Sequence, residues 1–332
     1  MAKDKPKMKD AIGGYFGLAD RDLENGHYPV DGVRVNTARN ALEYILRQLP
    51  SVQTIYLPFY TCKAIIEPLQ KLALSYHFYH INMRLEMAED IPMGEGVYVI
   101  VNNYFGIKDE YVARMARKYG EHLIVDNAQA LFAPALPDIK AIYSARKFVG
   151  VADGGFAIGV SELPIKMYEE DTTQHDSHLL IRKEYGAEAG FQAYRQNEKQ
   201  LDNLPIRRMA AATGDILTHI DYNKVIARRR INFKMLHEML GDDNRLPILD
   251  MNTFVCPMVY PFLPKEDKDI RNRLIKNKIY VARYWQNVLS WCNPQDIETK
   301  LAKNLIPLPI DQRYGEQEMR KIIKLIKNKD IQ

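Results

Sequence analysis

Apolar and polar positions along the chain follow two periods in turn. From Thr37 to Gln48 the residues Ala41, Leu42, Ile45 and Leu46 share one face of a helix, and Thr54 to Leu57 then forms a short apolar run stopped by Pro58. Thr61 is placed to cap a helix reaching about Leu72. Tyr76 to Ile81, Val97 to Val101 and Leu123 to Val125 read as strands, with a helix from Asp109 to Tyr119 before the last of them. Ile139 to Tyr143 and Phe156 to Val160 continue the series. Strands that alternate with helices need helical crossovers, so the pattern predicts a large, mostly parallel sheet with helices on both faces. Asn102, Asn103 and Asp126 fall just past the carboxyl ends of predicted strands, where open α/β sheets hold their ligands. From about Leu163 to Gly241 the pattern is helical and charged. Beyond Asp250, strands at Phe254 to Tyr260, Ile279 to Ala282 and Leu305 to Leu308 interleave with helices at Asp267 to Asn277 and Glu316 to Asn328. The expected organisation is a large α/β domain with an N-terminal arm over 1–205, a connecting helix over 206–245 and a small α+β domain over 246–332.

Length and charge narrow the field. The chain has 332 residues, more than the roughly 250 to 300 over which one core grows, in keeping with two domains. Its 46 Lys and Arg against 42 Asp and Glu leave only +4, interspersed along the chain, which argues against a nucleic-acid partner. Arg228, Arg229 and Arg230 point in three directions on a helix and read as a solvated face. Cys62, Cys256 and Cys292 are odd in number and far apart, without a CxxC, so neither a disulfide framework nor a structural zinc is expected, and the setting is reducing and cytoplasmic. No apolar stretch approaches about 18 residues, and the Lys-rich first ten residues have no apolar run behind them; a signal peptide and a membrane span are not expected. His77 and His80 point to opposite faces of a strand, and His175 with His178 lack a carboxylate pair, so no metal is expected. Trp285 and Trp291 read as packing residues. The arm residues Ile12-Gly13-Gly14-Tyr15-Phe16 read as docked.

Three stretches carry candidate chemistry. In Ile124-Val125-Asp126-Asn127-Ala128-Gln129-Ala130 an acid follows a buried strand; the ordinary use of such an Asp is to cap the next turn, and a functional one needs a cationic partner. In Tyr143-Ser144-Ala145-Arg146-Lys147-Phe148, followed by Asp153-Gly154-Gly155, a Lys set among small and apolar residues can be desolvated and made nucleophilic, the alternative being a surface Lys in a turn. Asn36-Thr37-Ala38-Arg39 opens a helix, where free N–H groups, a hydroxyl and a guanidinium suit a phosphate; an N-cap Thr beside a solvated Arg reads equally well. The glycine loop of a nucleoside triphosphatase is absent.

Taken in order, the helix-start cradle, the strand-end Asp and the downstream Lys with a nearby Ser resemble fold-type I pyridoxal-phosphate (PLP) enzymes, in particular the DegT/DnrJ-like nucleotide-sugar aminotransferases. The family's V-x-D-x-A-Q segment, Lys loop and D-G-G are matched by Asp126, Ala128, Gln129, Lys147 and Asp153-Gly154-Gly155. Its C-terminal signature is matched by Leu305-Ile306-Pro307-Leu308-Pro309-Ile310-Asp311-Gln312-Arg313-Tyr314-Gly315. The resemblance implies the fold-type I architecture, a mostly parallel seven-stranded sheet between helices plus a small C-terminal α+β domain, and a homodimer. It implies that Lys147 carries PLP as a Schiff base and moves the substrate proton, that Asp126 pairs with the pyridine nitrogen, and that Gln129 lies against the ring or its phenolic oxygen. Ser144, Thr37, Ala38 and Arg39 hold the phosphate.

The chain departs from the family at several of these positions. Thr37-Ala38-Arg39 replaces a Gly followed by Ser or Thr. Cys62 stands where an aromatic usually stacks on the ring, so either Tyr60 supplies the stacking or Cys62 touches the ring. Arg146 stands where a Thr commonly precedes the Lys, and the hydroxyl at Ser144 is placed differently. Asn103, in Val101-Asn102-Asn103-Tyr104-Phe105-Gly106, lies near the substrate side, or else satisfies a turn. The implied activity is transfer of an amino group from an amino acid, glutamate in the family, to a keto-sugar linked to a nucleotide, in polysaccharide or surface-glycan synthesis. Arg182, Arg195, Arg207, Arg208 and Arg313 are candidates for the nucleotide's charge. Another PLP reaction on a small amino compound, or a non-catalytic relative that binds or regulates, are the alternatives.

Overall fold

The computed structural model describes residues 11–162, 176–248, 250–265 and 269–327. In chain order the regular elements begin with β1 (Ile12–Gly13), β2 (Val33–Val35), α1 (Ala38–Leu46), β3 (Thr54–Pro58), α2 (Ile66–Lys71), β4 (Ser75–Tyr79) and β5 (Val97–Asn102). They continue with α3 (Asp109–Tyr119), β6 (Leu123–Asn127), β7 (Lys140–Ser144), β8 (Gly155–Ile158), α4 (Ser177–Tyr185), α5 (Phe191–Gln200), α6 (Ala211–Leu217) and α7 (Tyr222–Leu240). The C-terminal part adds β9 (Val259–Phe262), α8 (Ile270–Lys276), β10 (Ile279–Tyr280), α9 (Val288–Trp291), α10 (Ile297–Asn304), β11 (Ile306–Pro309) and α11 (Glu316–Lys327).

Seven strands form one sheet in the order β2-β8-β7-β6-β5-β3-β4. All neighbours from β7 to β4 are parallel, and β8 runs antiparallel to both β7 and β2. The expected mostly parallel α/β sheet is therefore present. Its central strands read as unbroken apolar runs because both faces are covered. With a side-chain period of two, Ile100, Ile124 and Ile142 join one buried cluster with α1 and α2, while Val99, Val101, Val125 and Tyr143 join the other. That second cluster runs on without a break into the C-terminal part, to Leu308 and Ile326, across the boundary expected near 246.

The helix α7 starts where Asp221 accepts the Lys224 N–H at 3.1 Å. Its buried face is Tyr222, Val225, Arg229, Asn232, Phe233, Leu236 and Leu240, the three-to-four spacing of a core-facing stripe with an arginine inside it. The C-terminal part pairs β9 with β11 antiparallel and packs α8 and α11 nearby. The arm is docked as expected: β1 runs parallel to β10, with Ile12 opposite Ile279. Two expectations are corrected. Arg229 is fully buried and the Arg228 to Arg230 cluster is not a solvated face, since only Arg228 of the three is exposed. The strand expected from Phe254 begins at Val259, because residues 251–253 coil into a 3-10 turn and Val255 donates its N–H to Asp109 at 2.8 Å.

Candidate active site

Parallel strands bring their carboxyl ends to one edge of the sheet, and the predicted site residues gather there. Asn102 on β5 stands beside Asp126 on β6, and Asp126 beside Ile142 on β7. β7 ends at Ser144, after which the chain turns through Ala145–Lys147. Burial raises the Asp126 carboxyl above its usual range; the nearby charge of Lys147 and the Ala128 N–H, 2.8 Å from Oδ1, offset this only in part. That N–H bond is the ordinary turn-capping use of a strand-end Asp, and it engages one oxygen only. Asp126 is enclosed by protein yet still half-exposed, as a residue is at the floor of a concave opening.

The Asp-Gly-Gly that follows the lysine is a joint. The Asp153 carboxylate accepts the Ala210 N–H at 2.8 Å and the Thr213 hydroxyl, which ties the lysine hairpin to α6. Gly154 adopts a φ of 121°, closed to most side chains, while donating its N–H to Asn36 and accepting that of Ala145. A side chain on Gly155 would collide with the Thr37 carbonyl. Because Gly155 is also the sheet partner of Ser144, the start of α1 lies directly against the end of β7. Thr37 caps α1, its Oγ1 accepting the Asn40 N–H at 3.2 Å, and the first-turn N–H groups of Ala38 and Arg39 lie beyond reach of the helix's own carbonyls.

The remaining predicted residues separate into engaged and open groups. The Arg39 guanidinium pairs with Glu67 at 2.5 Å and with Asp202 at 2.7 Å, so its charge is already met by carboxylates. Asn103 is buried and fully used: Oδ1 accepts the Lys108 N–H and Nδ2 donates to Asp109, which secures the start of α3. The Tyr60 ring is wholly enclosed, edge-on to Trp285 and beneath Tyr104, whereas Cys62 is half-buried; only the second presents an open edge. Thr61 does not cap a helix; its Oγ1 accepts Asn102 Nδ2 at 3.0 Å. Gln129 Oε1 accepts the N–H of Phe105, a non-glycine residue held at φ 57°, and Gln129 Nε2 is buried without a partner. Asn102 Oδ1 is likewise buried without a partner. The Ser144 hydroxyl engages no group among the described residues.

Four contributors were not legible from spacing. Tyr284 from the C-terminal part is enclosed yet half-exposed, like Asp126, and faces Phe105 at 6.0 Å between ring centres. Tyr194 on α5 stacks on Tyr15 of the arm at 4.8 Å. Arg229 and Gln312 hold the lysine turn from behind, donating to the Phe148 carbonyl at 3.4 and 2.6 Å. Arg182 and Arg313, two candidates for the nucleotide's charge, both donate to the arm, to the carbonyls of Gly13 and Tyr15. Arg207 and Arg208 adjoin the α1 start through their backbone, Arg195 is exposed, and His175 lies outside the described residues. No helix among the described residues is long and apolar enough to cross a membrane.

No family sequence model matches the chain, and no curated protein matches it. Solved structures do. The apo form of Spr1654, a putative sugar aminotransferase from Streptococcus pneumoniae, superposes with a TM-score of 0.64 at 16% identity, covering 95% of this chain and 91% of that one. A DegT/DnrJ/EryC1/StrS aminotransferase from Brucella abortus gives 0.62 at 17%, covering 92% and 86%. DesI, crystallised in the presence of its TDP-sugar product, gives 0.60 at 17%, covering 89% and 79%. The chain therefore has the fold of these sugar aminotransferases.

Proposed function

We propose that the protein is a PLP-dependent aminotransferase that moves an amino group from an amino acid, glutamate by its resemblance to the DegT/DnrJ family, to a keto-sugar, and that the sugar is nucleotide-linked, as in DesI. A homodimer acting in the cytoplasm in surface-glycan synthesis belongs to the same proposal. The observation that carries it is the meeting of Asp126, Lys147 and Ser144 at the carboxyl edge of the sheet, with the α1 start joined to Ser144 through Gly155.

The residues present fit PLP. An enclosed carboxylate whose nearest cation is a lysine suits a protonated ring nitrogen. The unpaired Gln129 Nε2 is a donor suited to a phenolic oxygen, and the free Ser144 hydroxyl with the α1 first turn suits a phosphate. When bound, PLP supplies a ring that takes up the electron pair left when a proton departs from the amino-bearing carbon. Lys147 Nζ would provide the covalent attachment and, as a free amine, would be the base that takes and returns that proton. Asp126 would hold a proton at the ring nitrogen. Cys62 would border the ring, and Tyr284 and Tyr194 would restrict water around it.

The test is an absorption spectrum with PLP, before and after glutamate, followed by borohydride reduction and peptide mapping. Wild-type protein is expected to retain reduced PLP on the Lys147 peptide and to lose the PLP spectrum with glutamate, while Lys147→Ala retains none. Equal covalent retention by Lys147→Ala would overturn the assignment, and a wild-type spectrum that ignores glutamate would mean another donor or another reaction.

A further inference from the structure

Two arginines flank the junction of α1 with the lysine turn, and helix α5 holds both. Arg39 opens α1 and pairs with Asp202, just past the end of α5. Arg146, next to Lys147, pairs through Nη2 with Glu198 at 2.7 Å. Glu198 lies in the last turn of α5 and Asp202 in the turn that follows it, so both guanidiniums are anchored at the C-terminal end of that helix. Their circumstances differ. Arg39 sits between two carboxylates, and the less exposed one, Glu67, also takes Lys71 at 2.9 Å. Arg146 has a single carboxylate, half in solvent, and its Nε is buried without a hydrogen-bond partner. The third group near this pair is the phenol of Tyr194, which feels the charges of both Glu198 and Arg146.

From these observations, and resting on the reading of the site as a PLP site, we infer that Arg146 is the cationic ligand of the cofactor's phosphate, in place of Arg39. A phosphate monoester is a near-dianion. Helix N–H groups and the Ser144 hydroxyl supply only partial charges, the Thr37 hydroxyl being spent on Asn40, whereas a guanidinium adds a full charge and paired donors. Arg146 is two residues from Ser144, on the same turn that faces the α1 start through Gly155. Glu198, being half-exposed, can release the guanidinium to the phosphate at little desolvation cost. Glu67 and Asp202 together cannot do the same for Arg39.

The test compares PLP with pyridoxal, which has the same aldehyde and ring but no phosphate. Binding to wild type, Arg146→Met, Arg146→Lys and Glu198→Gln is read from absorbance, and inorganic phosphate is used both as a competitor and in thermal melts. Arg146→Met is expected to weaken PLP by about 10- to 100-fold and pyridoxal by less than about twofold. Arg146→Lys should recover part of the loss, and Glu198→Gln should leave PLP binding equal to or tighter than that of wild type. Phosphate should compete with PLP and raise the melting temperature of wild type, and do neither for Arg146→Met. Equal losses for PLP and pyridoxal, or no loss for either, would overturn the inference. If wild type forms no covalent link at Lys147 with either aldehyde, the PLP reading fails; the phosphate melts then judge Arg146 alone, and an equal shift in wild type and Arg146→Met sinks the inference too.

Discussion

Asp126 and Asp311 are both closed in by the protein, and they have opposite surroundings. Asp311 lies beside two guanidiniums: burial alone would raise its carboxyl, but the charge and hydrogen bonds of Arg313, at 2.7 and 3.0 Å, with the charge of Arg229 behind them, hold it below the usual carboxylate range. Asp126 has one N–H and a lysine at a distance, and burial leaves it raised. The first is a completed interaction that ties the C-terminal loop to α7 and the arm. The second is incomplete within the protein, and incompleteness next to a lysine at a sheet's carboxyl edge is what a site needs. Satisfied charge marks structure here, and the unsatisfied charge is where the proposed reading puts the chemistry.

The contrast breaks most visibly under substitution. Asp311→Ala leaves Arg313 and Arg229 without their carboxylate and is expected to cost ~3 to 5 kcal/mol, read from the urea midpoint, while Asp126→Ala costs far less. Asp126→Asn should lower amino transfer by about 100- to 1,000-fold with no loss of stability, which steady-state rates beside thermal melts will show. Equal destabilisation by the two substitutions would erase the distinction.

Acidity sharpens it further. Asp311, with a depressed folded-state pKa, stabilises the fold above the ordinary carboxylate range, and that contribution disappears as pH falls through its folded value. Asp126, with a raised folded-state pKa, contributes stability below the ordinary range, and this is lost as pH rises through its folded value. Relative to wild type, Asp311→Asn should thus be most destabilised near neutral pH and Asp126→Asn most favoured there, in urea titrations from pH 3 to 7. The smallest effect is at Tyr60, whose hydroxyl is buried without a partner among the described residues. Tyr60→Phe should leave PLP binding unchanged and stability equal or higher by up to ~1 kcal/mol.

Much of the sheet was legible because its signal is local. Alternation located six of its strands within a few residues, and Asp109–Tyr119 is the helix its apolar spacing predicts. Strand β2 was not read, since three residues give no period and its antiparallel pairing to β8 has no local trace. The places of Asp126 on β6 and of Ser144 at the end of β7, with Lys147 in the turn before β8, follow from the strands on either side. Arg229 was misread because what buries it is distant in sequence: the carbonyls of Phe148 and Met258 and the side chain of Gln312. Tyr284 and Tyr194 reach the site by packing alone, and Arg39 looks like a phosphate ligand until Glu67 and Asp202 are seen beside it.

The pairing of β1 with β10 has a consequence for how the molecule is made. Ile12 finds Ile279, and the Gly13 N–H finds the Tyr314 hydroxyl, so this strand, once made, waits for Ile279 and Tyr314 to be added before it has its partners. At about 5 to 20 residues per second that wait lasts tens of seconds. The sheet can form during it, but the arm carrying Tyr15 docks late, and so does Gln312 behind the lysine turn; a nascent chain halted short of residue 279 would have neither in place.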